Sequence, residues 1–121
     1  MLKELQGFVN EMKDTSSLNE KKVIIDSIKN NKFITKALNY ALDPYKKYYV
    51  TSKTCKKNFD LRDPNYIHQD IFELLDDLND RTYTGHDAIA MVNAFINMNE
   101  EYEDLIFSII DRNMELRASA S

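Results

Sequence analysis

The sequence predicts an all-α fold, a compact bundle of about six helices that forms a single domain over residues 1–121. The length of 121 residues suits one hydrophobic core but not two. Two glycines and two prolines are too few for the turns of an all-β fold, and 43% hydrophobic with 30% charged residues is a globular composition. Apolar residues also recur with helical spacing along most of the chain.

Three helices are predicted in the first third of the chain. Apolar side chains repeat with helical period over residues 2–12, and Ser17 with Glu20 then forms a capping-box pattern that opens the second helix. A third helix carries a wide apolar stripe over residues 33–42. Pro44 is expected to end it, because proline lacks a backbone donor and disfavours helix at the preceding residue.

Three further helices are predicted in the second half. Residues 63–64 (Asp-Pro) supply an N-cap and a first helical residue for the fourth helix, whose apolar face runs over residues 67–78. Thr84 opens the fifth helix, with Asp87 in the place of the usual capping-box glutamate, and the sixth helix covers residues 102–110. Six residues of these helices are expected in the core: Ile71, Leu75, Ile89, Val92, Ile106 and Ile110.

Residues 44–65 show no sustained periodicity, which predicts a long ordered loop or short helical pieces. Loops of this length are usually functional. The segment interleaves aromatic rings with basic residues, a composition suited to neutralising phosphates. The candidate phosphate-binding lysines are Lys46, Lys47, Lys53, Lys56 and Lys57. The same composition is compatible with a loop that is simply solvated.

Charge is distributed unevenly along the chain. Residues 1–62 contain thirteen Lys and Arg against seven Asp and Glu, a charge of +6, whereas residues 63–121 contain three against thirteen, a charge of −10. These two values give the net charge of −4. The basic half suits a nucleic-acid partner, while the acidic half is either a solvated face or the surface of a helical protein-interaction adaptor.

Catalytic and metal-binding patterns are missing from the sequence. No Gly-rich phosphate loop and no nucleophile paired with a base is recognisable, so we expect no catalytic residue and no enzyme activity in this chain alone. Cys55 has no partner for a disulfide, and with two distant histidines it gives no metal-ligand spacing. No apolar run is long enough to span a bilayer or to form a signal sequence, which predicts a cytoplasmic protein.

The two histidines receive different interpretations. His68 is expected to be a surface residue of the fourth helix. His86 follows Gly85 in the first turn of the fifth helix, where free backbone N–H groups and the helix dipole favour an anion. The alternative is that this turn faces only water.

Two motifs in the last third of the chain carry a resemblance to a known family. Residues 83–89 read as a hydrophobic residue, Thr-Gly, two variable residues and Ala-Ile. Residues 112–119 correspond to Arg-Asp-Leu-x-x-Gly-x-Ser, with Asn113 and Met114 as conservative substitutes and Arg117 in the place of the glycine. The directly matching residues are Thr84, Gly85, Ala88, Ile89, Arg112 and Ser119. With these motifs the chain resembles the amino-terminal DNA-binding domain of phage ATP-dependent DNA ligases of the T-even type.

The resemblance covers nearly the whole chain, since a helix pair and an aromatic-basic segment precede the motifs in the family's order. It implies a non-catalytic, monomeric domain that grips duplex or nicked DNA through its phosphates without sequence preference. Separate nucleotidyltransferase and OB domains of the same protein would then use ATP and Mg²⁺ for nick sealing in an infected bacterium. No Lys-x-Asp-Gly motif occurs here, and residues 118–121 look like the start of a continuing chain. Six DNA-binding candidates join the lysines: Thr84, Gly85, His86, Arg112, Arg117 and Ser119.

Overall fold

The computed structural model describes residues 1–61 and 67–116, and within these ranges the chain is helical with no strand. Its seven α-helices are α1 (Leu2–Asp14), α2 (Leu18–Ile28), α3 (Lys32–Leu42), α4 (Ser52–Lys57), α5 (Ile71–Asn79), α6 (Gly85–Asn97) and α7 (Glu103–Ile110). A short 3-10 helix, Glu100–Tyr102, leads into α7. The predicted all-α bundle is confirmed. The additional helix, α4, lies in the segment for which short helical pieces were one of two predictions.

Polar side chains begin four of the helices by accepting a hydrogen bond from a backbone N–H of the first turn. Such a bond satisfies one of the donors that every helix start leaves without an intrahelical partner. The four capping residues are Ser17, Asn31, Thr51 and Asp70. The start of α2 predicted from Ser17 is thereby confirmed. Asp43 ends α3 in an extended conformation directly before Pro44, also as predicted.

Helix α6 occupies the centre of the bundle. Its residues are buried almost continuously over 88–96, including positions on all sides of the helix, as expected for a helix that is covered by neighbours all round. Helices α4 and α5 and the 3-10 helix pack against it. The six predicted core residues are all buried. None of the helices in the described ranges is long and apolar enough to cross a bilayer.

The segment before α5 differs from the prediction. The helix begins at Ile71, so Ile67 and His68 precede it; the predicted start at residues 63–64 lies outside the described residues. Ile67, predicted on the apolar face, is exposed. His68 is 2% exposed, so its prediction as a surface residue is wrong. Its Nε2 lies 2.7 Å from the Asp77 carboxylate and its ring meets Tyr83 edge to face, because the chain folds back along α5 here.

Candidate nucleic-acid interface

Residues 43–51 connect α3 to α4 and contact both α3 and α5. Tyr48 is buried, and its hydroxyl donates to the Tyr40 carbonyl at 2.5 Å. Burial raises the pKa of the Tyr48 hydroxyl well above its ordinary value, so it remains a donor. On the other side, the Lys47 backbone N–H donates to Asn79 Oδ1 of α5 at 3.0 Å. The backbone of this basic segment is therefore held by contacts with α3 and α5.

Arg112, directly after the end of α7, reaches back to the same segment. Its Nε donates to the Ala41 carbonyl at 3.4 Å, and a second guanidinium N–H donates to the Lys46 carbonyl. The residue is half-buried. Two sequence regions that were selected on separate grounds, one for its composition and one for its resemblance, are thus in direct contact. Part of the donor capacity of Arg112 is used to hold backbone.

A shallow groove runs between the segment 47–53 and residues 110–112, and we call it the basic groove. Its cationic side chains are Lys47, Lys53 and Arg112. Asp111 is the carboxylate among the described residues that line it. That carboxylate accepts from the Ser52 backbone N–H at 2.8 Å and from the Ser52 hydroxyl at 2.5 Å. Because three cationic side chains stand against this one carboxylate, the groove has a local excess of positive charge.

The other candidate lysines lie beside the groove or away from it. The Lys46 ammonium sits 4.4 Å from the centroid of the Tyr40 ring and is half-buried. The Lys56 ammonium lies 5.2 Å from the centroid of the Phe107 ring and borders a different pocket, which Glu100 of the 3-10 helix also lines. Lys57 is exposed on α4. The structure therefore brings together two of the five lysines, with Lys46 at the base of the segment.

The buried side chain of Asn93 on α6 hydrogen-bonds to the end of α4. The Asn93 amide donates to the Cys55 carbonyl at 3.1 Å and to the Asn58 carbonyl at 3.0 Å. These two carbonyls lie at the end of a helix of only six residues, and each also accepts a backbone bond, from the N–H of Asn58 and of Leu61 respectively. The Cys55 side chain is fully buried between the two helices. Asn93 thereby fixes the position of the helix that carries Lys53.

The turn at Thr84, Gly85 and His86 opens α6 as predicted, but without the predicted capping box. Among the described residues, no N–H group of α6 is capped by the Thr84 side chain. Gly85 has φ +57°, a left-handed conformation that favours glycine, and no described atom lies within 4 Å of the position a Cβ would take. Backbone conformation, not lack of space, is what requires glycine here. All three residues are exposed, so the helix start is accessible to an anion.

Arg81 is a functional candidate that the sequence analysis did not select. Its guanidinium carbon lies 4.2 Å from the centroid of the Tyr49 ring, a cation–π contact that joins the basic segment to the turn before α6. Thr84 follows three residues later, which places it within about 11 Å of Arg81 along the chain. The sequence does single out Arg81 in one way, because it is the only Lys or Arg between residues 63 and 111.

Left-handed backbone conformations occur at and beside the groove. Within the described ranges, non-glycine residues with positive φ are Tyr49 (63°), Arg81 (58°), Arg112 (59°) and Glu115 (54°). The conformation of Arg81 and Arg112 ends α5 and α7, because the N–H groups of Thr82 and Asn113 donate to the carbonyls of Asp77 and Ser108. Tyr49 takes the same conformation within the connection between α3 and α4, at a cost of roughly 1 to 2 kcal/mol.

No family model, curated protein or solved structure matches this chain. The assignment of the interface therefore rests on the positions of its residues. Arg117 and Ser119 lie outside the described residues. In the described ranges no group of His, Cys, Asp and Glu side chains is arranged to hold a metal ion.

The chemistry available at the groove is the binding of an extended polyanion. Lys47 and Lys53 are exposed and carry ammonium groups. Arg81 adds a guanidinium that contacts the ring of Tyr49, a residue of the groove lining. Tyr45 is 90% and Tyr49 57% exposed, although both are large aromatic residues. Cations with interleaved exposed rings are the side chains that contact phosphates and bases in nucleic-acid-binding proteins.

Proposed function

We propose that this chain binds the sugar-phosphate backbone of duplex and nicked DNA through the basic groove, without sequence preference. It would act as the non-catalytic DNA-binding part of a ligase-like protein, with nick sealing carried out by separate nucleotidyltransferase and OB domains. The observation that carries the proposal is the contact of Arg112 with Lys46, which unites the ligase-like motif and the basic segment in one surface.

The charge arrangement supports a phosphate ligand despite the acidic total. A local basic surface governs binding to DNA more than the net charge does. At the groove, Lys47, Lys53 and Arg112 face one carboxylate, Asp111, which is already bonded to Ser52. Contacts of this kind position a protein on DNA without reading its sequence. This matches the requirement of an enzyme that must act at any nick.

The acidic half of the chain offers less support for a protein-interaction adaptor. Several of its carboxylates bond to other groups of the chain: Asp70 caps α5, Asp76 accepts from the Tyr40 hydroxyl at 2.7 Å, and Asp77 bonds His68. The feature that favours the adaptor is the exposed acidic cluster of Glu100, Glu101, Glu103 and Asp104 at the start of α7. Clusters of this kind are usually solvated helix starts, where acidic side chains complement the dipole.

Fluorescence anisotropy with a nicked duplex across a salt series tests the proposal. If about three to five phosphates are neutralised, log affinity should fall with log salt at a slope of roughly −3 to −5, with Kd near 10⁻⁴ to 10⁻⁶ M at physiological salt. Replacing Lys47 and Lys53 together by alanine should weaken binding to all duplexes alike and flatten the slope by up to about 2. The matched control replaces Lys22 and Lys29, exposed on and after α2, by alanine and should leave the slope unchanged.

Two outcomes would contradict the proposal. If the wild-type chain binds no DNA at low salt, DNA binding fails and the adaptor takes its place. If the control pair flattens the slope as much as the groove pair does, binding follows total charge and the basic groove is not the interface.

A further inference from the structure

We propose that Tyr49 is a stacking platform for an unpaired base, so that the chain favours DNA with a single-stranded end or flap over intact duplex. This inference rests on the proposed function, because phosphate binding in the basic groove must bring the strand to the ring. Tyr49 itself lines the groove together with Lys47 and Lys53. Aromatic rings next to backbone-binding cations are the means by which proteins hold single strands.

The Tyr49 ring has one covered face and a large exposed area. The Arg81 guanidinium lies 4.2 Å from the ring centroid, while 57% of the residue surface remains accessible. Because the guanidinium lies over one face of the ring, a second flat partner would stack on the opposite face. A base has a π-face whatever its identity, so stacking there needs no sequence preference.

Contacts on both sides of Tyr49 define the position of its ring. Its neighbour Tyr48 is buried, and Lys47 is bonded through its N–H to Asn79, so the backbone on the N-terminal side is fixed. Arg81 is the left-handed residue that follows the end of α5, where its N–H and that of Thr82 donate to the carbonyls of Leu78 and Asp77. This helix cap fixes the backbone from which the Arg81 guanidinium reaches the Tyr49 ring. A pre-positioned ring also loses little conformational freedom when a base stacks on it.

The expected preference follows from the state of the bases. In intact duplex each base is paired and stacked, and its face is inaccessible to Tyr49. An unpaired base can use the platform, and one base–aromatic stack changes Kd by roughly fivefold to a hundredfold. The preference should therefore appear only for DNA with an unpaired base close to the duplex.

The experiment compares Kd for an intact duplex and for the same duplex with a short single-stranded overhang that carries 2-aminopurine. Wild-type protein should bind the overhang DNA at least about fivefold more tightly and quench the 2-aminopurine fluorescence, which reports stacking. Tyr49→Phe should keep both effects because it keeps the ring. Tyr49→Leu should abolish both the preference and the quenching. Tyr45→Leu, the same substitution at an exposed tyrosine that is not among the groove-lining residues, should keep the preference and the quenching.

A second comparison needs no variant. An overhang of the same length with abasic sites keeps the phosphates but removes the bases, and the preference of wild-type protein should disappear. A preference that survives in the abasic DNA or in Tyr49→Leu overturns the stacking inference. Salt-dependent binding to intact duplex with no preference for the overhang overturns the inference alone. Failure to bind any of these DNAs overturns the proposed function as well.

Discussion

The guanidinium of Arg112 donates to the backbone carbonyl of Lys46, a residue 66 positions away in the sequence. A second bond to the Ala41 carbonyl ties the same side chain to the last turn of α3. The end of α7 thus holds the beginning of the basic segment. This contact gives Arg112 a positioning role that its resemblance to a ligase motif does not by itself imply.

Replacing Arg112 by alanine should therefore destabilise the protein. Hydrogen bonds from a charged donor contribute about 1.5 to 3 kcal/mol each, and part of that amount is lost when the carbonyls of Ala41 and Lys46 lose their partner. We expect a loss of about 1 to 3 kcal/mol in urea unfolding. Arg112→Lys should recover only part of it, because an ammonium lacks the planar fork that reaches both carbonyls. An alanine variant as stable as wild type would contradict this role.

Asn93→Leu should release α4 from the bundle. The substitution removes the two side-chain bonds to the carbonyls of Cys55 and Asn58, which keep their backbone donors, at a cost of about 0.5 to 1.5 kcal/mol for each bond. Hydrogen–deuterium exchange should become faster over residues 52–58, while α1 stays protected. DNA affinity should also fall although no charge is removed, because Lys53 is carried on α4. Unchanged exchange in α4 would show that other contacts hold it.

Ile106→Ala tests the core of the bundle. Ile106 is 0% exposed, and large-to-small substitutions of this kind cost about 2 to 5 kcal/mol through lost burial and the remaining cavity. The control is Val23→Ala on α2, where the side chain is 68% exposed and the expected change is within about 0.5 kcal/mol. Denaturant unfolding of both variants gives the comparison. Equal stabilities would place Ile106 outside the core.

The Cys55 thiol should make the protein sensitive to alkali. Burial, and to a lesser degree the Asp111 carboxylate, raises the pKa of this thiol from 9.0 to about 12. The unfolded chain loses the proton above pH 9 while the folded chain keeps it, so stability is fully present below pH 9 and is lost as the pH rises towards 12. This contributes a loss of about 1 kcal/mol between pH 9 and 10.

Cys55→Ala should flatten this part of the pH dependence, with a constant offset from the smaller side chain. Tyr40 and Tyr48, whose pKa values are also raised from 10.0, each contribute less than the thiol between pH 9 and 10, and the alanine variant shares their contribution with the wild type. Urea unfolding at pH 8, 9 and 10 measures the effect. The native thiol should also react with a thiol reagent only at the rate of opening, since Cys55 is 0% exposed. An identical pH slope in the alanine variant would refute the assignment.

Local sequence signals account for most of the secondary structure. Ser17 opens α2 because a hydroxyl can satisfy a first-turn N–H, and Pro44 follows the end of α3 because it cannot continue a helix. Before α5, the local signals gave a wrong prediction. An Asp-Pro pair and an apolar period placed Ile67 and His68 on a helix that in fact begins at Ile71, capped by Asp70.

The candidate site could be predicted only as a list of residues. Composition selected all five lysines of the basic segment, but only Lys47 and Lys53 line the groove with Arg112. A resemblance selected Thr84 and Gly85, and the positive φ of Gly85 gives a physical reason for the glycine. Which charged groups share a surface could not be predicted, because sequence separation carries no information about their distance in space.

The sequence by itself determined that the chain is helical, where most of its helices lie and that Ile106 belongs to the core, because periodicity and capping act over a few residues. Only the tertiary structure decided that His68 is buried against Asp77 and that Arg81 covers one face of Tyr49. Both contacts join side chains from different elements. They exist because the packing of α5 and α6 sets the course of the connecting segments, and no local preference of the residues involved requires it.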